Sequence, residues 1–195
     1  MTGFAGVVLA GGGSRRMGGR SKAFIEIGGK PIIEKTLALF RGLFGEVVVV
    51  TNTPAPYRRF EGVKLVSDVI PGCGPAGGIH AALDAIGAPM GFVAACDMPM
   101  LDERLIRRVC GLARGAGVEC VVPRSAAGIE PLHAVYAKSL APRFETMLRA
   151  GTRKVLDVID ASRCAWFELS GSDLRAISNF NTPEDLAALL PGNSR

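Results

Sequence analysis

The sequence predicts an α/β fold with a mostly parallel sheet, because buried strands and helices alternate along it. Three mostly apolar runs are typical of strands covered on both faces, residues 6–10, 46–50 and 91–96, and residues 64–66 are a shorter predicted strand. Loops rather than tight hairpin turns follow these runs, as expected for parallel strands. Apolar residues at helical spacing lie between the strands, at residues 32–44 and 76–86. The first half is therefore a doubly wound α/β pattern.

The second half of the chain mixes strands and helices. Residues 120–122, 132–136 and 176–180 are predicted strands, and residues 139–150 are a predicted helix. Asp102 can cap a helix that reaches about residue 112. Thr182 as N-cap, followed by proline and two acidic residues, predicts the start of the last helix. The length suits one domain, which we expect to span residues 1–195.

The composition is typical of a globular protein, with 48% apolar and 21% charged residues. Apolar runs such as residues 47–50 are too short to cross a bilayer, and the N-terminus lacks a signal-peptide pattern. The cysteines are scattered, odd in number and without a C-x-x-C pair, which indicates reduced thiols and argues against a zinc site. We therefore expect a cytoplasmic protein without membrane contact.

The net charge of +5 does not by itself indicate a nucleic-acid partner. Basic residues are spread along the chain, and aromatic residues make up only 6% of it. The one dense basic cluster, Arg15, Arg16, Arg20 and Lys22, lies in a glycine-rich loop. Glycines let backbone N–H groups turn toward an anion, and the cations can neutralise it. A small polyphosphate is therefore the expected partner, and nucleic acid is not.

That loop follows the first strand directly and reads Leu-Ala-Gly-Gly-Gly-Ser-Arg-Arg-Met-Gly-Gly-Arg-Ser-Lys over residues 9–22. A dinucleotide-binding fingerprint that starts at Gly11 requires a glycine where the chain has Arg16. A P-loop that starts at Gly13 requires lysine and then serine or threonine, where the chain has glycine and Arg20. The loop therefore fits neither of these phosphate motifs.

The loop resembles the signature of nucleotidyltransferases with a glycosyltransferase-A-like Rossmann fold, and within them it is most similar to the molybdenum cofactor guanylyltransferase family. Three further motifs carry the resemblance: Ser-Asp at 67–68 with Gly-Pro-x-Gly-Gly-Ile at 74–79, Cys-Asp-Met-Pro at 96–99, and Asn-Phe-Asn-Thr-Pro-Glu-Asp-Leu at 179–186. The likeness covers nearly the whole chain. It implies a single-domain, three-layer Rossmann-like fold whose N-terminal half binds nucleotide and whose C-terminal half binds the acceptor.

The resemblance also implies a reaction, in which GMP passes from GTP to the phosphate of molybdopterin or molybdenum cofactor. The implied cofactor is Mg²⁺, with Mn²⁺ as the alternative, and other cofactor-biosynthesis proteins and recipient apo-enzymes are implied as transient partners. The implied catalytic residues are Arg16, Lys22 and Asp97, with Asp97 as the metal ligand, and Asn179 and Asn181 would bind the acceptor. The implied nucleotide-binding residues are Leu9, Ala10, Gly11, Gly12, Gly13, Lys22, Asn52, Asp68, Gly74, Pro75, Gly78 and Asp97.

The chemistry of individual residues supports part of this assignment. Asp97 follows an apolar strand, at the edge where α/β sheets bind ligands, and a carboxylate there suits Mg²⁺. The alternative for Asp97 is a structural cap, and for Asp68 and Asn52 it is a role in a turn. His80 and His133 are expected to be hydrogen-bonded structural residues, because phosphoryl transfer depends on positioning more than on proton abstraction.

Gly11 bears on the choice of base. The related cytidylyltransferases generally have a second alanine at this position, and glycine leaves room for a purine ring. Two other transferases remain alternatives, a cytidylyltransferase of molybdenum cofactor and a sugar-phosphate nucleotidyltransferase. A non-catalytic nucleotide-binding subunit, regulatory or docking, is the alternative from another class, since one fold can serve many functions.

Overall fold

The computed structural model describes residues 1–11, 21–115 and 117–189. Its strands are β1 (Phe4–Leu9), β2 (Glu26–Ile27), β3 (Lys30–Pro31), β4 (Val47–Val50), β5 (Lys64–Val66), β6 (Met90–Ala95), β7 (Cys120–Ser125), β8 (Gly128–Ile129), β9 (His133–Ala137) and β10 (Cys164–Glu168). Its α-helices are α1 (Ile32–Leu43), α2 (Gly74–Ala85), α3 (Glu103–Gly115), α4 (Ala141–Arg149), α5 (Val155–Asp160) and α6 (Pro183–Leu189). Short 3₁₀ turns span Lys22–Phe24, Ala55–Tyr57 and Lys138–Leu140.

The central sheet has the strand order β10-β7-β9-β6-β1-β4-β5, with β8 paired to β7. The pairs of β1 with β4 and β6, of β4 with β5, and of β7 with β10 are parallel. Strand β9 runs antiparallel to both of its neighbours, β6 and β7. Strands β2 and β3 form a separate small hairpin. The prediction of a mostly parallel sheet is confirmed.

Two apolar cores enclose this sheet, one on each face. On strand β4, Val47 and Val49 face the core that contains α1 and α3, whereas Val48 and Val50 face the core that contains α2, α4 and α5. This alternation is the two-residue period of a strand, and both of its faces are buried. The continuous run of four valines is therefore explained by a sheet that lies between two helical layers, as predicted.

The predicted helix caps are confirmed. The Oδ1 atom of Asp102 accepts a hydrogen bond from the backbone N–H of Leu105 at 2.9 Å, at the start of α3. The hydroxyl of Thr182 accepts from the N–H of Asp185 at 3.1 Å, at the start of α6. Asp185 in turn accepts from the N–H groups of Asn181 and Thr182, both at 2.9 Å. This reciprocal arrangement satisfies N–H groups that the helix itself leaves unpaired.

The prediction of a late strand over residues 176–180 is wrong. Its backbone forms successive turns instead, in which the N–H of Ala176 bonds to the carbonyl of Asp173 and that of Ser178 bonds to the carbonyl of Arg175. The buried carboxylate of Asp173 fixes the start of these turns by accepting from the N–H and hydroxyl of Ser170. The apolar pattern is real, since Ala176, Ile177 and Phe180 are buried, but it belongs to an irregular segment.

The sequence reading missed strand β10 and helix α5, which lie between the predicted elements of the second half. Among the strands that the structure describes, β10 pairs with β7 alone, so it forms one edge of the sheet. None of the helices within the described ranges is long and apolar enough to cross a membrane.

Candidate active site

Four predicted site residues form a row along the carboxyl edge of the sheet. In the strand registers, Ala95, Leu9, Val50 and Val66 lie side by side at the ends of β6, β1, β4 and β5. Two positions beyond them come Asp97, Gly11, Asn52 and Asp68, in that order across the sheet. Since neighbouring strands are about 4.8 Å apart, the row is about 14 Å long. It therefore has two distinct ends, one at Asp97 and the other at Asp68.

At the first end, Lys22 lies among three oxygen atoms. Its ammonium nitrogen donates to Oδ2 of Asp97 at 3.0 Å, to the backbone carbonyl of Phe180 at 2.6 Å and to Oδ1 of Asn181 at 2.9 Å. The side chains of Lys22 and Asp97 are about one-fifth exposed, so this ion pair is partly shielded from water. The three bonds join the end of the glycine-rich loop, the end of β6 and the segment before α6.

The backbone of Phe180 links the same elements a second time. Its N–H donates to the backbone carbonyl of Asp97 at 3.3 Å, and its buried ring lies under the Lys22 ammonium at 5.3 Å. The ring packs with Ile32 and Leu186, which anchors the segment between α1 and α6. The sequence reading did not include Phe180, although its two predicted neighbours Asn179 and Asn181 enclose it. Its hydrogen bonds to Lys22 and Asp97 use backbone atoms, and no residue-type pattern marks such groups.

The two predicted acceptor-binding residues lie in different surroundings. The side chain of Asn181 is exposed and bonds to Lys22, as described above. Asn179 is also exposed, and none of the hydrogen bonds described for this chain joins it to Lys22 or Asp97. The geometry therefore gives Asn181 a contact with Lys22, whereas Asn179 is exposed to solvent.

At the second end of the row, Asn52 and Asp68 bond to each other twice. The amide nitrogen of Asn52 donates to Oδ2 of Asp68 at 2.8 Å, and the backbone N–H of Asp68 donates to Oδ1 of Asn52 at 3.0 Å. The hydroxyl of Ser67 adds a bond to the carbonyl of Thr51 at 3.0 Å. These bonds tie the ends of β4 and β5 together. The bond from Asn52 uses Oδ2 of Asp68, so Oδ1 of this carboxylate can accept a hydrogen bond from another group.

Helix α2 begins beside Asp68. Gly74 and Pro75 form its exposed first positions, so its N-terminus opens toward the same edge of the sheet. A Cβ atom on Gly77 would lie 2.8 Å from Cβ of Cys73, and one on Gly78 would lie 3.2 Å from Leu9 and 3.9 Å from Oδ1 of Asp68. Glycine at both positions lets the first turn of α2 approach the row closely. Its unpaired N–H groups and dipole favour an anion there.

The start of the glycine-rich loop leads directly from β1 into the row. The N–H of Ala10 bonds to the carbonyl of Val50 at 2.8 Å, and the carbonyl of Leu9 accepts from the N–H of Cys96 at 3.0 Å. Ala10 is buried, Leu9 is partly buried, and Gly11 is exposed at the surface of the row. The predicted residues Gly12, Gly13 and Arg16 lie outside the described residues.

The oxygen atoms around the Lys22 ammonium are of the kind that coordinate hard cations. Within the described residues, no group of three or more His, Cys, Asp and Glu side chains could hold a metal ion. Mg²⁺ does not require such a group, because it is commonly held by one or two carboxylates together with the phosphates of a substrate. An ammonium group already occupies an all-oxygen environment at Asp97. The residues present are therefore compatible with Mg²⁺ or Mn²⁺ on the Asp97 carboxylate.

The histidines do not contribute to this row, but one expectation about them was wrong. Both are buried, as expected for structural residues, yet within the part of the chain that the structure describes, Nδ1 of His80 and both ring nitrogens of His133 have no hydrogen-bond partner. The His133 ring packs edge-on against Phe92 at 5.0 Å. Burial lowers the pKa of His133 to about 4, so this histidine is neutral near pH 7.

Comparisons with known proteins identify the family of the chain. The model of the MobA-like NTP transferase domain family matches residues 6–164, which is most of the chain. A probable molybdenum cofactor guanylyltransferase from Pelotomaculum thermopropionicum is 37% identical over 97% of this chain and 94% of its own. A molybdenum cofactor guanylyltransferase from Desulfosudis oleivorans is 33% identical over 95% of this chain and 94% of its own.

Solved structures agree with the fold. The crystal structure of molybdopterin-guanine dinucleotide biosynthesis protein A from Archaeoglobus fulgidus superposes with a TM-score of 0.82, at 29% identity, over 95% of this chain and 96% of that one. A 2-C-methyl-D-erythritol 4-phosphate cytidylyltransferase from Thermus thermophilus shares the fold alone, with a TM-score of 0.70 and 20% identity over 94% of this chain and 95% of that one. The chain is therefore a nucleotidyltransferase that belongs to the molybdenum cofactor guanylyltransferase family.

Proposed function

We propose that this enzyme transfers GMP from GTP to the phosphate of molybdenum-molybdopterin cofactor, releasing pyrophosphate and forming the guanine dinucleotide cofactor. Relatives named molybdenum cofactor guanylyltransferase, and the fold shared with a solved structure, support the proposal. The observation that carries it is the row of residues at the carboxyl edge, with the Lys22–Asp97 pair at one end and the Asn52–Asp68 pair at the other. A nucleoside triphosphate lying along this row would have its phosphates and its nucleoside at chemically different ends.

In the proposed reaction, a phosphate oxygen of the acceptor attacks the α-phosphorus of GTP. A new P–O bond forms, and the bond from the α-phosphorus to the bridging oxygen breaks, so that its electron pair leaves with pyrophosphate. A phosphate monoester is largely dianionic at neutral pH, because its second pKa is about 6. The nucleophile is therefore already charged, and the site requires no strong general base. It requires alignment and stabilisation of charge.

Lys22 would supply part of that stabilisation. In the structure its ammonium satisfies all three of its N–H donors on Asp97, Phe180 and Asn181. We infer that a triphosphate draws this group toward its own oxygens, because phosphate is a stronger acceptor of charge-assisted bonds than a carbonyl. Asp97 would then be free to hold Mg²⁺ or Mn²⁺. Such an ion would supply positive charge that stabilises the phosphate oxygens during transfer.

The other end of the row would hold the nucleoside. Oδ1 of Asp68 faces the first turn of α2, and Asn52 fixes the orientation of the carboxylate. We propose that Asp68, Asn52 and the glycines of α2 bind the nucleoside, and that Gly12, Gly13 and Arg16 bind phosphate with Lys22. The C-terminal half would hold the acceptor, next to Asn179 and Asn181. This division would make residues 1–195 one functional domain.

The setting in the cell is a further part of the proposal. All five cysteines are free thiols, which suits a reducing compartment such as the cytoplasm. The dinucleotide product would pass to recipient apo-enzymes, and the acceptor would come from other cofactor-biosynthesis proteins, in transient contacts.

Pyrophosphate release tests this function. Purified enzyme is incubated with Mg²⁺, purified molybdenum cofactor and each of the four NTPs in turn. We expect release that requires both GTP and the acceptor. Preference for CTP would identify a cytidylyltransferase, and activity with sugar 1-phosphates in place of the cofactor would identify a sugar-phosphate nucleotidyltransferase. Nucleotide binding without release under any of these conditions would contradict the proposed reaction.

A further inference from the structure

Two cysteines far from the active site lie side by side in the sheet. Cys120 begins β7 and Cys164 begins β10, and the register pairs them directly across these parallel strands. Paired residues on neighbouring strands point to the same face, and both thiols belong to the core formed with α2, α4 and α5. The two thiols are close enough for each to shift the pKa of the other. Two cysteines therefore share one site although 44 positions separate them.

The backbone spacing of the pair suits a covalent bond. Adjacent strands lie about 4.8 Å apart, and disulfides join Cα atoms that are about 4.4–6.8 Å apart. A disulfide between Cys120 and Cys164 would thus require rotation of side chains rather than movement of strands. Because β10 lies at the end of the strand order, it can also adjust more readily than the strands in the middle of the sheet.

The two thiols differ in accessibility and in acidity. Cys120 is fully buried, whereas Cys164 is partly exposed. The neighbouring Cys120 lowers the pKa of the Cys164 thiol, whereas the neighbouring Cys164 and burial raise the pKa of Cys120. Thiolates rather than thiols attack disulfides. Cys164 is therefore the thiol that a reagent in solution would meet first.

We propose that Cys120 and Cys164 form a reversible thiol–disulfide site that responds to low-molecular-weight disulfides. The Cys164 thiolate attacks one sulfur of such a disulfide, forms a mixed disulfide and releases one thiolate. The Cys120 sulfur then attacks the Cys164 sulfur, and its proton passes to the leaving sulfur, which departs as the second thiol. The two cysteines are oxidised by two electrons in all, and the small disulfide is reduced to two thiols. A reducing dithiol reverses both steps.

The remaining cysteines serve as internal references. Burial raises the pKa of Cys96 and of Cys110 to about 12, and Cys73 is buried. Each of them belongs to a different element or loop, and none is paired in a strand register with another cysteine. Reaction confined to Cys120 and Cys164 would therefore reflect their pairing rather than general oxidation of thiols.

The test exposes the full-length native protein to oxidised glutathione without denaturant and measures its intact mass. We expect loss of two hydrogen atoms, a single cross-link between the peptides that contain Cys120 and Cys164, and full reversal by dithiothreitol. In the reduced protein, alkylation of Cys164 should be at least about tenfold faster than that of the other thiols. A cross-link between another pair, a lasting mixed disulfide or no reaction would overturn the proposal.

Two variants separate the steps. Cys120→Ser should stop at the mixed disulfide, with the added mass of one glutathione on Cys164. Cys164→Ser should remain unmodified, because the buried Cys120 cannot reach the reagent. Cys110→Ala is the matched control and should form the cross-link as the native protein does. If Cys120→Ser does not fold, the alkylation pattern of the native protein before and after oxidation still tests the proposal. Oxidation must protect Cys120 and Cys164 from alkylation and leave the other thiols reactive.

Discussion

The ammonium of Lys22 lies 3.0 Å from the carboxylate of Asp97, although 75 positions separate the two residues in the chain. The pair connects the glycine-rich loop with the end of β6. Phe180 and Asn181 complete the surroundings of the ammonium from the C-terminal segment. The nucleotide-binding and acceptor-binding parts of the proposed site therefore meet at one side chain, and substrates that bind there must compete with these contacts.

Replacing Lys22 should separate phosphate binding from metal binding. Lys22→Met keeps the apolar stem but removes the charge, so we expect turnover with GTP to fall on the order of a hundredfold. Binding of Mn²⁺ without nucleotide should become tighter, because no ammonium competes for Asp97. Electron paramagnetic resonance measures the bound fraction of Mn²⁺. Lys30→Met, on the exposed β2–β3 hairpin, is the control, and native turnover in a folded Lys22→Met protein would refute this role.

Asp97→Asn should remove activity while leaving the fold intact. The amide preserves size and most hydrogen bonding but cannot hold a divalent cation by charge. Since the lost ion pair is partly solvated, we expect a stability change of about 1 kcal/mol or less. Thermal unfolding and steady-state turnover are the two measurements, with Asp84→Asn on the exposed face of α2 as the control. An unfolded variant whose remaining folded fraction turns over normally would mean that Asp97 is a structural cap.

Gly11→Ala tests the origin of guanine preference. A Cβ atom at Gly11 would lie 4.0 Å from the carbonyl of Val50, with no closer contact among the described residues, so alanine should fold normally. The added methyl would face the bound nucleotide, and we expect the ratio of kcat/KM for GTP over CTP to fall on the order of tenfold. Equal losses for both nucleotides would show that glycine serves the backbone and not the choice of base.

Stability should fall on acidification because of His133. Its pKa is lowered from 6.5 to about 4 by burial, and the nearby carboxylates of Asp102 and Asp173 only partly offset this effect. The unfolded chain therefore binds a proton at a higher pH than the folded protein does. Between pH 6.5 and about 4 this difference should cost on the order of 3 kcal/mol of unfolding free energy, with no contribution from His133 above this window.

Urea unfolding at several pH values measures this effect. Comparison between pH 7 and pH 5 is the most selective, because most carboxylates titrate below that range. His133→Leu removes the titrating group and should flatten the dependence, whatever its effect on stability at pH 7. An equal slope in the variant would exclude His133 as the source.

Local sequence patterns were sufficient to place the candidate site residues at the ends of strands. Strands β1, β4 and β6 are continuous apolar runs, and parallel strands end at one edge of a sheet, so polar residues that follow such strands are expected at that edge. The positions of Asn52 and Asp68 after β4 and β5 are as expected, whereas their roles in nucleotide binding stay predictions. Their double hydrogen bond was not predicted, because it depends on the register of β4 with β5, which the composition of these strands does not specify.

Contacts between distant segments could not be read from the sequence. The bond from Lys22 to the Phe180 carbonyl joins residues 158 positions apart and uses a backbone atom. Residues 176–180 were misread as a strand, because burial produces the same apolar pattern in an irregular segment held by turns. His133 was expected to have hydrogen-bond partners, since buried polar groups usually do. In each case the structure is determined by tertiary packing and not by the local sequence pattern.

Transfer of the α-phosphate is the most direct test of the proposed function. GTP labelled with ³²P at the α position is incubated with enzyme, Mg²⁺ and purified molybdenum cofactor, and the products are separated by chromatography. We predict that the label enters a product that contains both pterin and guanine, in equal amount to the pyrophosphate released, and that Asp97→Asn abolishes this transfer. Label that remains in free GTP or GMP while native enzyme, acceptor and metal are all present would contradict guanylyl transfer.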